Sequence, residues 1–460
     1  MENSNRNIAG EKTAIILLFS FLILLTSVNP FDKTLSSRFL SLMIIGVAIL
    51  PYIAWRNDPN REKIIPGVMW YGTFYMITFG IAGFVEHEIK TGALQVYSDT
   101  SENIAKMLVV MHLSIVFTVF YSLKSLFKQK VEVKNVDTLT DENNNQFYFI
   151  IFLCFIFTVI RVISATAGGL LVGMMSTLSF MYLFYFIFVR NKGDWRLLII
   201  ACLGFLVIRG GFQGNIKPFV DLGFLLFLMN LQKNKILILP ALFLVLSILI
   251  YQPIKSTVRP LMTEIGVDSS ESFSMGLEGL QEKNLSLINL VDIASHRIDH
   301  NVILSSFVEN IDSNDYIKWE AYRNLPYAPI PRFLWPGKPQ DFFGNQWGVQ
   351  EGYLNRNDHL TSLNLPWLSQ MYLSYGPIGI IIGSIIVGII LFLLNRFYWT
   401  APNRPWDYAI GLVALLMMFA IDSDFSVTFG VLTKFIMIDL FVRFVRNTID
   451  LRRKSVLNDL

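Results

Sequence analysis

Two cations and four prolines share the eleven residues PIPRFLWPGKP at positions 329–339. The prolines beside Arg332 restrict the backbone to extended conformations, and the following Pro-Gly-Lys-Pro run predicts a turn around Lys338. A guanidinium held in this way matches two phosphate oxygens at once and stays charged, and rigidity lowers the entropy lost on binding. Trp335 suits the headgroup level of a bilayer. We therefore expect either a preorganised phosphate-binding cation or a loop that lies on the membrane surface.

Arg209 is a second candidate cation, and two glycines follow it directly in VIRGGFQGNIKP. Glycine lets the backbone turn sharply and approach a ligand closely. Short segments interrupted by glycine or proline often line a site at membrane depth. Lys217 and Asp221 come next, at the entry to another apolar run. The alternative is an arginine that snorkels from a helix end to the membrane interface.

His359 precedes a long apolar run in NDHLTSLNLPWLSQMYLSYGPIG. A histidine of near-neutral pKa can take a proton from an attacking hydroxyl. The adjacent Arg356 and Asp358 can orient it or alter its charge. A surface histidine without a chemical role is the alternative.

His296 and His300 are spaced four residues apart, so they share one face if this stretch is helical. Two imidazoles on one face can hold a metal, but no HExxH pattern is present. The simpler interpretation is an amphipathic helix, because apolar residues recur at helical spacing in SLINLVDIASHRIDHNVILSSFVEN.

Five further charges lie in or beside apolar runs, and the sequence does not settle their roles. Arg161, Lys434 and Asp439 fall at or inside such runs, where charge is costly and suggests function, although Lys434 and Asp439 can also pair with each other. Asp422 and Asp424 mark the turn between the last two runs. Their carboxylates either meet a polar acceptor or face water.

The composition identifies the protein class. Of 460 residues, 53% are hydrophobic and only 16% are charged, and the mean hydropathy is +0.49. Continuous apolar runs of about 20 residues predict an all-α integral membrane protein with about twelve spans. The first run is interpreted as a retained helix. The predicted spans are 13–28, 39–55, 66–85, 107–126, 147–165, 170–189, 195–208, 219–231, 236–251, 367–394, 408–421 and 427–442.

Basic residues concentrate in one set of short loops, which places both termini in the cytoplasm. The chain then divides into helices one to nine at 1–252, a large extracytoplasmic segment at 253–365, and helices ten to twelve with a tail at 366–460. The basic surplus lies in the cytoplasmic loops, so anionic lipid explains it and nucleic acid is not implied. Two cysteines in apolar runs exclude a disulfide framework.

The absence of nucleotide-binding motifs from the sequence also limits the kinds of reaction that we expect. The sequence contains no P-loop and no GxGxxG, and its predicted cytoplasmic loops are too short for a domain that uses a soluble nucleotide sugar. Chemistry at the outer face has no nucleotide available, so a donor must arrive already activated. A lipid-linked pyrophosphate meets this requirement, and arginines at that face suit it.

The segment PIPRFLWPGKP, followed by GNQWG and by HLTSLNLPWLSQMYLSYGPIG, resembles bacterial O-antigen and capsule repeat-unit polymerases of the Wzy type. Their relatives are the O-antigen ligases. The resemblance implies a GT-C-type glycosyltransferase architecture in the bacterial inner membrane. It also implies a donor and an acceptor glycan on undecaprenyl pyrophosphate, and a role in polysaccharide or lipopolysaccharide biosynthesis. Chain-length regulators and flippases are the protein partners that it implies, and no cofactor or metal is expected.

The same resemblance assigns roles to particular residues. Arg209 and Arg332 would hold the donor pyrophosphate. Lys217, Lys338 and Arg259 are further candidate cations for that pyrophosphate, independently of the resemblance. His359 would contact the pyrophosphate or help to activate the acceptor hydroxyl, so His359, Arg332 and Arg209 form the catalytic set.

Two alternatives to a polymerase stay open. A ligase would transfer finished polymer to another acceptor, and a flippase or transporter would move the lipid-linked glycan. A flippase more often carries charges along a central path, whereas this sequence concentrates them at the outer face and in the polar segment.

Overall fold

The computed structural model describes residues 37–57, 67–84, 97–127, 299–330, 335–339, 343–350, 365–399, 405–418 and 423–458, with the single positions 156, 178 and 180. Every regular element in these residues is helical, and they contain no strand. The α-helices are α1 Ser37–Asn57, α2 Gly67–Tyr75, α3 Asp99–Leu126, α4 Asn301–Asn310, α5 Phe343–Gln350, α6 Trp367–Leu394, α7 Pro405–Met418 and α8 Phe425–Asn458.

Tighter and wider helical turns extend two of these helices. A π turn at Met76–Ile81 and a 3-10 turn at Ala82–Phe84 continue α2, and a π turn at Asn395–Trp399 continues α6. A separate 3-10 helix spans Lys318–Tyr322.

Three helices, at Ser37–Arg56, Asp99–Leu126 and Trp367–Tyr398, are long and apolar enough to cross a membrane. The all-α prediction is therefore confirmed for the described residues, and helices occupy the described parts of the predicted spans at 39–55, 66–85, 107–126, 367–394, 408–421 and 427–442. The predicted spans at 13–28 and from 147 to 251 lie outside the described residues, apart from the three single positions. The count of twelve and the GT-C architecture remain predictions.

Helices α1 and α2 pack antiparallel at very short range. A Cβ placed on Gly72 would lie 2.7 Å from the carbonyl oxygen of Ala48 and 3.3 Å from the Phe117 ring of α3. Further along, Gly80 lies against Ile45. Small residues let membrane helices approach closely enough for dispersion to hold them, since lipid provides no hydrophobic driving force between helices.

Helices α3 and α6 run parallel to each other. His112 contacts Ser384, Val116 and Val119 lie against Gly388, and further along Phe127 contacts Phe392 with ring centroids 5.7 Å apart. Parallel helices require the intervening chain to return to the starting end of the bundle. The five spans predicted between them would do this.

We expect Gly72→Ala to destabilise the fold by about 1–3 kcal/mol, because the new methyl group collides with a main-chain oxygen that cannot rotate away. Thermal unfolding of the detergent-solubilised protein measures the effect as a lower Tm. Gly46→Ala is the matched control, because a Cβ there meets nothing within 4 Å on the exposed side of α1. Equal Tm values for the two variants would contradict the proposed close packing.

Candidate functional site

Helix α6 is broken inside the YGPIG sequence singled out above. Tyr375 has φ −146° and ψ 21°, and Gly376 has φ 61° and ψ −144°, a conformation almost exclusive to glycine. The bend brings the carbonyl oxygen of Met371 within 2.2 Å of a Cβ placed on Gly379. In a straight helix, residues eight positions apart are separated by about 12 Å along the axis. The predicted span at 367–394 is thus two helical pieces at a sharp angle.

Residues 311–330 and 335–339 of the polar segment are here named the cap segment, and they close this break. Pro377 has no N–H to offer the carbonyl of Leu373 four residues earlier. The N–H of Ile317 in the cap segment donates to that carbonyl instead, at 3.2 Å. The Tyr316 ring covers Gly376 so closely that a Cβ there would lie 2.2 Å from its hydroxyl oxygen. The cap segment is therefore fitted into the bend of a membrane helix.

Gln370 of α6 joins the cap segment to α8. Its Nε2 donates to the carbonyl of Ala321 at 3.1 Å, and its Oε1 accepts the N–H of Phe425 at 2.9 Å. The Phe425 ring packs edge-on against Trp367, with centroids 4.9 Å apart. A fully buried amide with both ends bonded fixes the relative positions of three elements.

Asp424 lies directly before α8 and is buried, so it does not face water. Its Oδ2 accepts the N–H of Gly344 in α5 at 3.2 Å, and its main-chain carbonyl accepts the N–H of Thr428 at 3.1 Å. A carboxylate at a helix N-terminus is favoured by the helix dipole. The alternative that this aspartate faces water is therefore wrong, and a polar acceptor for it remains a prediction.

Lys338 ties together the two ends of the loop that contains Arg332. Its N–H donates to the carbonyl of Trp335 at 3.1 Å, which confirms the predicted turn. Its ammonium donates to the carbonyls of Ala328 and Ile330, at 3.1 and 3.2 Å. Ala328 in turn packs against Gly430, in the second turn of α8. The loop is thus closed by a lysine and anchored on a helix, and contact between Lys338 and a phosphate remains a prediction.

The other residues of the predicted site lie outside the described part of the chain. These are Arg209, Lys217, Arg259, Arg332 and His359, and the uncertain residues His296, Arg161 and Asp422 are also outside it. Their assigned roles remain predictions.

His300 has a packing role in the structure. Its buried ring stacks on Phe74 at 5.9 Å and lies 5.9 Å from Phe79, at the residue just before α4. The helix predicted in this stretch is confirmed from Asn301 to Asn310, and His300 lies before its first turn. Among the described residues, no group of three or more His, Cys, Asp or Glu side chains could hold a metal.

Lys106 was missed in the sequence because the span predicted at 107–126 begins one residue after it. The side chain is fully buried in α3. Its ammonium pairs with Glu102 at 2.8 Å, donates to the carbonyl of Gly83 at 3.2 Å, and contacts the hydroxyl and carbonyl of Ser37. A buried ammonium is tolerated when its three protons have acceptors. Lys106 therefore joins the start of α1, the end of α2 and the start of α3.

His112, also missed, lies at the centre of a buried chain of polar side chains. Ser384 donates to the carbonyl of Ile380 at 2.5 Å, and its oxygen lies 2.7 Å from Nδ1 of His112. Nε2 of His112 lies 2.6 Å from the Tyr71 hydroxyl, which donates to the Tyr75 hydroxyl at 3.2 Å. The signal available in the sequence was an ionisable residue inside an apolar run.

Asp439 has a structural partner near the opposite end of the bundle. It is buried in α8 and accepts from the Tyr398 hydroxyl and from Nε of Arg443, both at 2.8 Å. The Arg443 guanidinium also lies over the Tyr398 ring, at 6.0 Å. The charge of Asp439 is thereby compensated inside the fold.

Glu309 at the end of α4 binds the N-terminus of α3. Its Oε2 accepts from the Ser98 N–H at 3.1 Å, from the Ser98 hydroxyl at 2.6 Å and from the Ser101 hydroxyl. The hydrogen bonds from Ser101 and Ser98 lower the pKa of Glu309 below its ordinary value of 4.5. This carboxylate joins the helix that precedes the cap segment to a membrane-spanning helix.

The regular elements of the described residues are all helical, and three of these helices are long and apolar enough to cross a membrane, which indicates a membrane protein. The family described as Domain of unknown function (DUF8712) matches residues 64–397, well over half of the chain, and the protein belongs to that family. No curated protein and no solved structure matches it.

We expect Gly376→Ala to lower stability by about 1–3 kcal/mol, because alanine is strained at this backbone conformation and its methyl group collides with Tyr316. Thermal unfolding in detergent measures the loss. Adding Tyr316→Ala should recover only the part caused by the collision, since the backbone strain persists. A Gly376→Ala variant as stable as the wild type would show that the break is absent.

We expect Glu309→Gln to destabilise the protein at about pH 7, with a difference that shrinks in acid. The folded state lowers the pKa of Glu309, so its stabilisation is complete above the unfolded pKa and is lost as the pH falls through the folded pKa. Tm measured between about pH 7 and pH 3 tests this. Glu320→Gln is the control, because Glu320 forms only an exposed ion pair with Arg323. A pH-independent difference between Glu309→Gln and wild type would contradict the prediction.

Proposed function

We propose that this protein is an integral-membrane polymerase of surface polysaccharide. It joins oligosaccharide repeat units carried on undecaprenyl pyrophosphate, at the outer face of the bacterial cytoplasmic membrane. The proposal rests on the resemblance of three sequence segments to Wzy-type polymerases and on the chemistry that those segments can perform.

One structural observation supports it most. The Pro-rich segment around Arg332 is closed at its base by the Lys338 ammonium on two main-chain carbonyls, and Ala328 anchors it on α8. Fixed positions on either side of Arg332 reduce the entropy that is lost when this cation binds a ligand. The same cap segment packs into the break in α6. The Pro-rich segment and the YGPIG segment, which both carry the resemblance, therefore lie in or against the cap segment.

The proposed reaction is a glycosyl transfer. A hydroxyl oxygen of the acceptor glycan forms a bond to the anomeric carbon of the donor glycan. The bond from that carbon to the pyrophosphate oxygen breaks, and undecaprenyl pyrophosphate leaves with the electron pair. His359 accepts the hydroxyl proton. Arg209 and Arg332 stabilise the charge that develops on the leaving pyrophosphate.

We expect Arg332→Ala and Arg209→Ala to lower the rate of polymer formation by roughly a hundredfold, because each removes a cation from the leaving group. Gel analysis of surface glycan from complemented deletion cells measures chain length. Arg323→Ala is the matched control on the cap segment, since Arg323 is exposed and its ion pair with Glu320 contributes little.

The deletion strain separates the polymerase from the alternatives. A polymerase-null strain should display single repeat units at the surface. Long polymer left on its lipid carrier would indicate a ligase, and lipid-linked units retained inside would indicate a flippase. Full-length polysaccharide in both arginine variants would disprove the phosphate-binding role.

A further inference from the structure

Trp319 is the most exposed tryptophan or tyrosine of the cap segment, with 57% of its surface accessible. It lies in the 3-10 helix directly after Lys318, which has φ 52°. Lys318 is the one non-glycine residue with positive φ in the described part of the chain, and lysine rarely adopts this conformation. Strained backbone of this kind persists where the surrounding structure requires it, often at ligand sites. Here it precedes an indole that projects into solvent.

Three tyrosines continue this aromatic surface to the break in α6, and of these Tyr375 is exposed whereas Tyr316 and Tyr322 are partly buried. Tyr322 contacts Trp319 with ring centroids 5.9 Å apart, and its hydroxyl interacts electrostatically with that of Tyr375. Tyr375 is 41% exposed at the break itself. Tyr316 covers the next residue, Gly376. We name Tyr316, Trp319, Tyr322 and Tyr375 the aromatic patch.

The rim of the aromatic patch is acidic and polar. Asp312 and Asp315 form a turn directly before Tyr316, closed by the Asp315 N–H on the Asp312 carbonyl at 2.9 Å, and both are exposed. Lys318 and Glu320 flank Trp319 and are exposed as well. Aromatic residues that anchor a protein in a bilayer have apolar neighbours on the lipid side. Carboxylates around this patch favour a partner in water.

Burial raises the pKa of Tyr322 to about 12, so its hydroxyl keeps its proton. A protonated phenol both donates and accepts hydrogen bonds. The patch therefore combines flat apolar rings with hydroxyl and carboxylate groups. Tyrosine and tryptophan provide such contact area at low cost in conformational entropy.

We propose that the aromatic patch binds the glycan chain of the acceptor. A sugar ring has an apolar face of C–H groups that stacks on an indole or phenol, and an equatorial rim of hydroxyls that hydrogen-bonds to carboxylates. Because Tyr375 belongs to α6 and the other rings to the cap segment, a bound glycan contacts both sides of the helix break. That this glycan is the acceptor rests on the proposed function, whereas the binding itself does not.

Isothermal titration of the purified protein in nanodiscs tests the patch. The probe is the polysaccharide that mild acid releases from cells of the native host. We expect wild type to bind it, Trp319→Ala and Tyr375→Ala to bind about tenfold more weakly, and Trp319→Phe to keep most of the affinity. Phe444→Ala is the control, because Phe444 is 68% exposed on α8, outside the patch. Unchanged affinity in Trp319→Ala, or no binding by wild type, would overturn the proposal.

Brominated phospholipids distinguish a glycan site from a membrane anchor. They quench tryptophans that lie in the bilayer, so we expect equal quenching in wild type and Trp319→Ala. A clear loss of quenching in the variant would place the indole among lipids and overturn the proposal.

The binding assay and the deletion strain fail independently. If deletion leaves the surface glycan unchanged while the purified protein still binds glycan through Trp319, the polymerase proposal fails and the patch remains. If deletion stops polymerisation but Trp319→Ala binds normally, the patch proposal fails and the polymerase remains.

Discussion

The carbonyl of Leu373 needs a hydrogen-bond donor that its own helix cannot supply, because Pro377 has no N–H. An unpaired main-chain carbonyl inside a membrane bundle costs several kcal/mol, so a donor must come from elsewhere. The N–H of Ile317 meets this requirement from the cap segment, 56 positions earlier in the chain. The bend also needs Gly376, since a side chain there would be strained and would collide with Tyr316. Cap and membrane helix are thereby made dependent on each other.

The rest of this region is organised around that contact. Gln370, one turn before the break, carries the connection to α8 through Phe425, and buried Asp424 extends it to α5. Lys338 has a similar role in the cap segment, where its ammonium donates to two carbonyls of a proline-rich segment. In each case a polar side chain bonds to main-chain groups at a helix end or in a turn, where no intrahelical partner is available. A ligand can reach the backbone at such irregular places, and functional sites often contain them.

Buried ionisable side chains in α3 are also stabilised by partners from other helices. Lys106 is accommodated because α1, the end of α2 and its own helix all supply oxygen atoms, and His112 because Tyr71 and Ser384 match its two nitrogens. The partners of each of these two side chains come from more than one helix. Polar groups in an apolar bundle therefore fix which helices are neighbours, while dispersion between close-packed surfaces such as that at Gly72 fixes their distance.

Hydropathy along the chain is enough to predict a membrane protein with helices at positions such as 39–55 and 367–394, because hydropathy is a local property and lipid forces an apolar segment to bond internally. The turn around Lys338 was equally local, since proline and glycine set it. Four other features depend on how the helices pack: α6 is broken, Ile317 completes its hydrogen bonding, Asp424 is buried and Lys106 lies inside the bundle. Each of those facts depends on pairing residues far apart in the chain, and spacing along a sequence does not encode which distant atoms will supply a missing hydrogen bond.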